Sequence, residues 1–472
     1  MAIVSYKEAG AEVYSVNARR QGTQMPIPDW TDTALWQRLR HMGETAEATR
    51  HYVKNWLDDV QTLLAKAGTS PINFTLHDDE HSHRVAQRMA DLIQDETLQR
   101  LSDPELALLL LSAYLHDIGM NPRRELVLQV RSFLISGNAA NLPNTEAIWL
   151  QKWLDETNPG MQPPVLTDLT ANDRLEKIEI LTAYYCRDRH NDWSGDFIAE
   201  KAAQIPHPPY GTFVQDLINL CKSHHFGLPE LMSSSFDLRI VGSKNQLVNL
   251  RYLAAILRVA DVLEFDPERT PEVIFAHRAI PLSSKIFWYK DHSIALGLSK
   301  INPSVLITAR TSDAWTHRAV LDTSDQVDSE LQTCATINDQ GGFARGVKLD
   351  SADYYIWSWP RRAARDISPI PGTFEYIDGA FRPDSKRVLG LLAGTRLYET
   401  PLVAIRELLQ NAFDAVKEQI ALELLQDPNA YRPEVQEARA KLHRVALILE
   451  NAQIQRAVMT SIGSAAPILA SA

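Results

Sequence analysis

Apolar positions recur at spacings of three and four from Thr31 onward: Leu35, Leu39 and Met42, then Tyr52, Trp56, Leu57, Val60, Leu63 and Leu64. That period predicts amphipathic helices, and Gly68-Thr-Ser-Pro71 ends the run. Residues 78–95 predict a second amphipathic helix, and 104–118 a third with a markedly apolar body. The stretch 157–173 reads as a loop, and Ile178–Cys186 and Phe213–Ser223 as further helices. Asn249–Leu263 is apolar almost all round, the pattern of a buried helix. Beyond Thr270-Pro271 the texture changes. Val273–Phe275, Ile294–Leu298 and Val305–Ala309 have β character, and a helix is expected at 324–335. Helix returns at 385–425, with a short strand expected at Arg444–Leu449. The pattern divides the chain into an N-terminal segment (1–30), a mainly α domain (31–270), a small α+β connecting unit (271–375) and a last segment (376–472).

Composition narrows the class. Apolar residues make up 45% and charged residues 23%, the balance of a globular protein rather than a disordered chain or a rod. Acidic residues outnumber basic ones, 59 to 48, for a net charge of −11. That argues against a broad basic surface for duplex nucleic acid but leaves room for a small basic pocket. Apolar runs such as Leu106–Leu111 are far shorter than the ~20 residues that span a bilayer. The start lacks a secretory pattern, and three cysteines without a CxxC pair imply no disulfide framework. A soluble, cytoplasmic protein is expected.

Chemistry concentrates in three helical settings. In His77-Asp-Asp-Glu-His81-Ser-His83-Arg84-Val85, a helix places His81 on the face of Val85 and Met89. In Ala113-Tyr-Leu-His116-Asp117-Ile-Gly119-Met120, His116 shares a stripe with Leu109 and Ala113, and Asp117 flanks it. Asp261 stands in the middle of the apolar helix Ile256-Leu-Arg-Val-Ala-Asp261. A lone histidine on an apolar face is commonly a core residue bonded to a carbonyl. A carboxylate among apolar neighbours needs a cation, because burying it unpaired costs several kcal/mol. Either a metal or Arg258, one turn earlier, would serve Asp261.

The order H … HD … D resembles the HD-domain phosphohydrolase superfamily, over roughly residues 70–270, through HSHRV, YLHDIG and LRVAD. The resemblance implies a helical fold with His81, His116, Asp117 and Asp261 as metal ligands. Mixed imidazole and carboxylate donors suit Mn, Fe, Zn, Co or Ni. His190, His224 and His225 stand where two-metal members carry extra histidines. With His190 and one of His224 or His225, the site would hold two ions bridged by Asp117; otherwise these histidines and Arg187 and Arg189 form a mildly basic face or bind phosphate. The implied reaction is hydrolysis of a nucleotide or related phosphoester by a metal-activated water, with Asp117 at its centre. Arg84, Arg123, Arg124, Arg189 and His225 are candidates for holding phosphate. His77 and His83 fall on other helix faces.

A second string, Arg406-Glu407-Leu-Leu-Gln-Asn411-Ala-Phe-Asp414-Ala415, places Glu407, Asn411 and Asp414 along one helix face. That spacing alone is usually just a wet face. The longer string RELLQNAFDA resembles the first ATP-binding box of the GHKL ATPases, the family of gyrase B, the ninety-kilodalton heat-shock chaperone, histidine kinases and MutL. The resemblance assigns water activation to Glu407, Mg coordination to Asn411 and support to Asp414, and makes 376–472 the start of an α/β sandwich. Residues 416–472 contain one glycine and no DxGxG box, so neither adenine nor phosphates would be held. No ATP turnover is expected from this chain alone; the module reads as truncated or as paired with a separately encoded ATPase half, and the partner in view is that half or, in a homo-oligomer, a second copy of the chain. Three functions are thus in view: a metal-dependent phosphohydrolase, a non-catalytic nucleotide sensor coupled to a GHKL partner in a defence or stress system, and, last, a chaperone-like ATPase.

Overall fold

The computed structural model describes residues 29–67, 78–157, 171–265, 282–348, 354–376 and 409–417. The helical part runs α1 (Ala34–Arg40), α2 (Glu47–Ala67), α3 (Asp79–Leu92), α4 (Asp95–Arg100), α5 (Asp103–Leu115), α6 (Arg124–Ser136) and α7 (Asn144–Thr157). It continues with α8 (Ala171–Ala202), α9 (Phe213–Lys222), α10 (Leu228–Leu231) and α11 (Leu250–Val262). A two-stranded antiparallel hairpin, β1 (Arg239–Val241) with β2 (Gln246–Val248), leads into α11. Then come α12 (Leu282–Ser293), β3 (Ile294–Ser299), β4 (Ser304–Thr311), α13 (Ala314–Asp339) and β5 (Ala364–Pro369). The protein is mainly α.

Local chemistry sets the helix starts that matter. The Asp78 side chain accepts from the His81 amide at 2.9 Å, which caps α3 one turn before the His81 ring is needed. Ser102 and Glu105 form a reciprocal capping box at the head of α5, with Pro104 in its first turn. Every residue of α5 is buried, as its unbroken apolar body requires. Asn249 caps α11 through the Tyr252 amide. α3, α5, α9 and α11 pack around one another in the main core, while α6, α7 and α8 enclose a satellite core of Phe133, Leu150, Trp153, Tyr185 and Trp193.

The sheet has the order β3-β4-β5, with β3 antiparallel and β5 parallel to β4. A parallel neighbour demands a crossover, and α13 supplies it. α13 also packs on α11, so residues 282–376 are built onto the helical part rather than standing apart from it. Residues Met1–Tyr376 form one compact unit and Ile377–Ala472 a second.

Several expectations are corrected in extent. The helix expected at 178–186 runs from 171 to 202 because its apolar stripe rests on two cores in turn. That expected at 324–335 runs from 314, where the Asp313 side chain caps the Thr316 amide. The helices at 124–157 and the hairpin at 239–248 carry too little periodicity to be read. Val273–Phe275, Arg444–Leu449 and most of the GHKL-like segment lie outside the described residues. Within that segment, residues 409–417 are helical, with Asn411 and Asp414 exposed; Glu407 is outside the described residues. Among the described residues, no helix is long and apolar enough to cross a membrane.

Candidate metal centre

The end of α5 and the start of α3 bring two imidazoles together. His81 is 1% exposed, and its Nδ1 lies 2.9 Å from Glu264 Oε2. The second Glu264 oxygen accepts from Arg84 Nε at 2.6 Å. His116 closes α5, and its Nδ1 donates toward the Ser112 and Ala113 carbonyls at 3.1 and 3.2 Å. Such bonds fix the tautomer and leave Nε2 as the lone-pair nitrogen.

Two carboxylates meet these nitrogens. Asp117 Oδ2 and Asp261 Oδ1 each lie 3.5 Å from His116 Nε2 and 3.9 Å from His81 Nε2. One ligand atom from each of His81, His116, Asp117 and Asp261 falls within 4.8 Å of the others. His116 Nε2 is buried without a hydrogen bond of ordinary geometry. Arg258 does not pair with Asp261; its guanidinium is bound bidentately to Glu330 at 2.8 and 2.9 Å. Asp261, its side chain 28% exposed, instead faces the two imidazoles, and the donor set fits a divalent transition ion.

The other oxygen of Asp117 serves a second group. Oδ1 lies 3.3 Å from His190 Nε2 and 3.5 Å from His224 Nε2. His225 Nε2 is 3.2 Å from His190 Nε2, so His190, His224 and His225 form a second cluster able to hold an ion. The Nδ1 atoms of His190 and His224 face the Arg187 and Cys221 carbonyls. α8 is held to the His116–Asp117 turn by Ser194, whose hydroxyl donates to the His116 carbonyl and accepts from the Gly119 amide.

Electrostatics follow from this crowding. Burial opposes charge on His116, yet the Asp117 and Asp261 carboxylates outweigh it and push its pKa up to about 9. Burial likewise raises Asp261, but hydrogen bonding and charge from His116 hold it below the usual carboxylate range. His190 is burdened by burial and still raised by its bond to Asp117. His225, desolvated and beside two other imidazoles, is pushed down to about 3.

The clusters open on a cavity of about 460 Å³. Arg187, Arg258 and Lys290 bring cations to its lining, and Thr323, Gln326 and Ser329 of α13 an uncharged polar wall. Arg84, Arg123, Arg124 and Arg189 do not line it. Arg84 lies behind the site on Glu264; Arg123 pairs with Glu200 at the surface. Arg124 is exposed at the start of α6, and Arg189 is buried on Glu146 and Asp192 in the satellite core. Arg84, Arg123 and Arg189 each reach a carboxylate that folding brings to them. His83 is half-buried outside the cavity lining, and His77 lies outside the described residues. Glu264 and the α13 wall escape sequence reading. Glu264 left one trace, three residues after Asp261 on the same helical edge.

A protein-family model described as HD-CE matches residues 72–333. No curated protein and no solved structure matches the chain.

Proposed function

The chain belongs to the HD-CE family, and from that premise we propose that it is a metal-dependent phosphohydrolase acting on a nucleotide or related small phosphoester. The observation that carries this is the convergence of His81, His116, Asp117 and Asp261 within 4.8 Å, with both aspartates on the lining of a cavity. These four would hold one divalent ion; His190, His224 and His225 would hold a second, with Asp117 turned toward both. Such ions, when bound, lower the pKa of coordinated water and polarise a phosphoryl oxygen.

The protein's own groups do the rest. Glu264 orients His81 and makes it a better donor, as a carboxylate behind a ligating histidine does. The Ser112, Ala113 and Cys221 carbonyls keep His116 and His224 in the tautomer with the proton on Nδ1 and the lone pair on Nε2. Arg187 on the cavity lining would supply positive charge to a substrate phosphate, while Lys290 there is bound to Asp291 at 2.7 Å. The C-terminal resemblance to a GHKL ATP-binding box rests on RELLQNAFDA alone and carries no part of this reading.

The test is purification followed by elemental analysis and a hydrolysis screen with Mn²⁺ against nucleotides and p-nitrophenyl phosphate esters. Bound transition metal and turnover, both lost in Asp117→Ala, are the expected result. Metal without turnover on any ester, together with tight nucleotide binding, would replace the enzyme with a sensor.

A further inference from the structure

We propose that the Arg258–Glu330 pair is a positioning device for the three-histidine half of the site. Glu330, carried by α13, holds the guanidinium; Arg258 in turn fixes the turn that presents His224 and His225. The inference rests on the metal-dependent reading above.

Ser223–His225 is a single 3-10 turn with no side-chain cap. A turn this short leaves carbonyls without helical partners. Arg258 Nη1 donates to the Phe226 carbonyl at 2.9 Å and to the Ser223 carbonyl, which also accepts the Phe226 amide at 3.0 Å. The remaining edge of the guanidinium, Nε and Nη2, engages both oxygens of Glu330. One planar group therefore spans the histidine turn and α13, a geometry that lysine cannot reproduce. The pair is mostly buried, at 6% and 22% side-chain exposure.

Arg258 stands three residues before Asp261 on α11. The same rigid helix thus delivers a carboxylate to the first cluster and a clamp to the second. Away from the cavity, Asp325 and Asp328 of α13 bind Arg365 of β5. α13 is thereby anchored to the sheet, and its Glu330 to the histidine turn. The α+β region, in which the sequence showed no chemistry, acquires a role: it sets the second cluster.

The experiment uses the full chain and Mn²⁺ alone, with equilibrium dialysis for stoichiometry and electron paramagnetic resonance for pairing. Wild type should bind two ions with the spectrum of an exchange-coupled pair. Glu330→Gln and Arg258→Lys should retain the first ion while the second weakens about tenfold or more, the usual effect of losing an outer-shell partner; the coupled signal should give way to that of an isolated ion. Two ions bound as in wild type by both variants would overturn the clamp and leave the metal reading intact. Equal weakening of both ions with a lower melting temperature would also overturn it, by making the pair a general packing contact. One ion or none in wild type would overturn the two-centre reading, and this inference with it.

Discussion

Gly119 lies so close to His190 that a Cβ on the glycine would fall 2.1 Å from the His190 carbonyl oxygen. The contact joins the turn after His116–Asp117 to the middle of α8, and the Ser194 hydroxyl of α8 bonds that turn twice, at the Gly119 amide and the His116 carbonyl. The nearest atoms are backbone, so neither partner can yield by rotating a side chain.

Gly119→Ala should therefore push α8 away and carry His190 from Asp117. Overpacking of this kind costs about 1–3 kcal/mol. Metal bound by His81, His116 and Asp261 should survive while the His190 cluster loses its ion. Urea unfolding and metal stoichiometry check both; unchanged stoichiometry would refute the packing argument.

Glu264 serves two donors from α3, His81 through one oxygen and Arg84 through the other. Glu264→Gln has a single acceptor oxygen and must abandon one of them. Metal affinity at the first cluster should fall about tenfold to a hundredfold, the usual cost of an outer-shell change. Titration with a fluorescent chelator competitor measures it, and an unaltered affinity would show that the His81 ring is held by packing alone.

What could be read in advance divides by range. His116–Asp117 sits at the end of an apolar helix and Asp261 inside another, so a conflict between burial and charge was visible locally. His81 followed from helical phase. The arginines were not legible in the same way, because a long cationic side chain takes whichever carboxylate folding presents. Arg123 meets Glu200 and Arg258 meets Glu330, each more than seventy residues away in sequence. The parallel pairing of β4 with β5 is hidden for the same reason, since the whole of α13 intervenes. Helix periodicity survives in the sequence; the identity of the facing partner does not.

Glu146 provides a test remote from the metal clusters. In the satellite core it accepts from Tyr185 and from Arg189 at 3.2 Å, and both charged side chains are 10% exposed. Glu146→Ala leaves Arg189 only its more exposed ionic pairing with Asp192, and removal of one member of such a buried pair costs about 3 kcal/mol. Stability should drop by that order in urea titrations while first-cluster metal content holds. A loss of metal with unchanged stability would mean that Glu146 acts on the site rather than on the core.

Metal removal should weaken the fold itself. Asp117 and Asp261 converge on His116 from different elements, and an ion shared among them links α3, α5 and α11 in the native state only. Ligand present at about 100 times its dissociation constant stabilises by roughly 2.7 kcal/mol. For a chain of this size that corresponds to an apparent melting shift of about 3 °C. Dialysis against EDTA should lower the melting temperature by that order, and Mn²⁺ added back should restore it. Asp117→Ala, lacking the carboxylate that faces both clusters, should melt at one temperature with or without chelator. A wild-type protein indifferent to EDTA and to added Mn²⁺ would leave the His and Asp convergence without an ion to explain it.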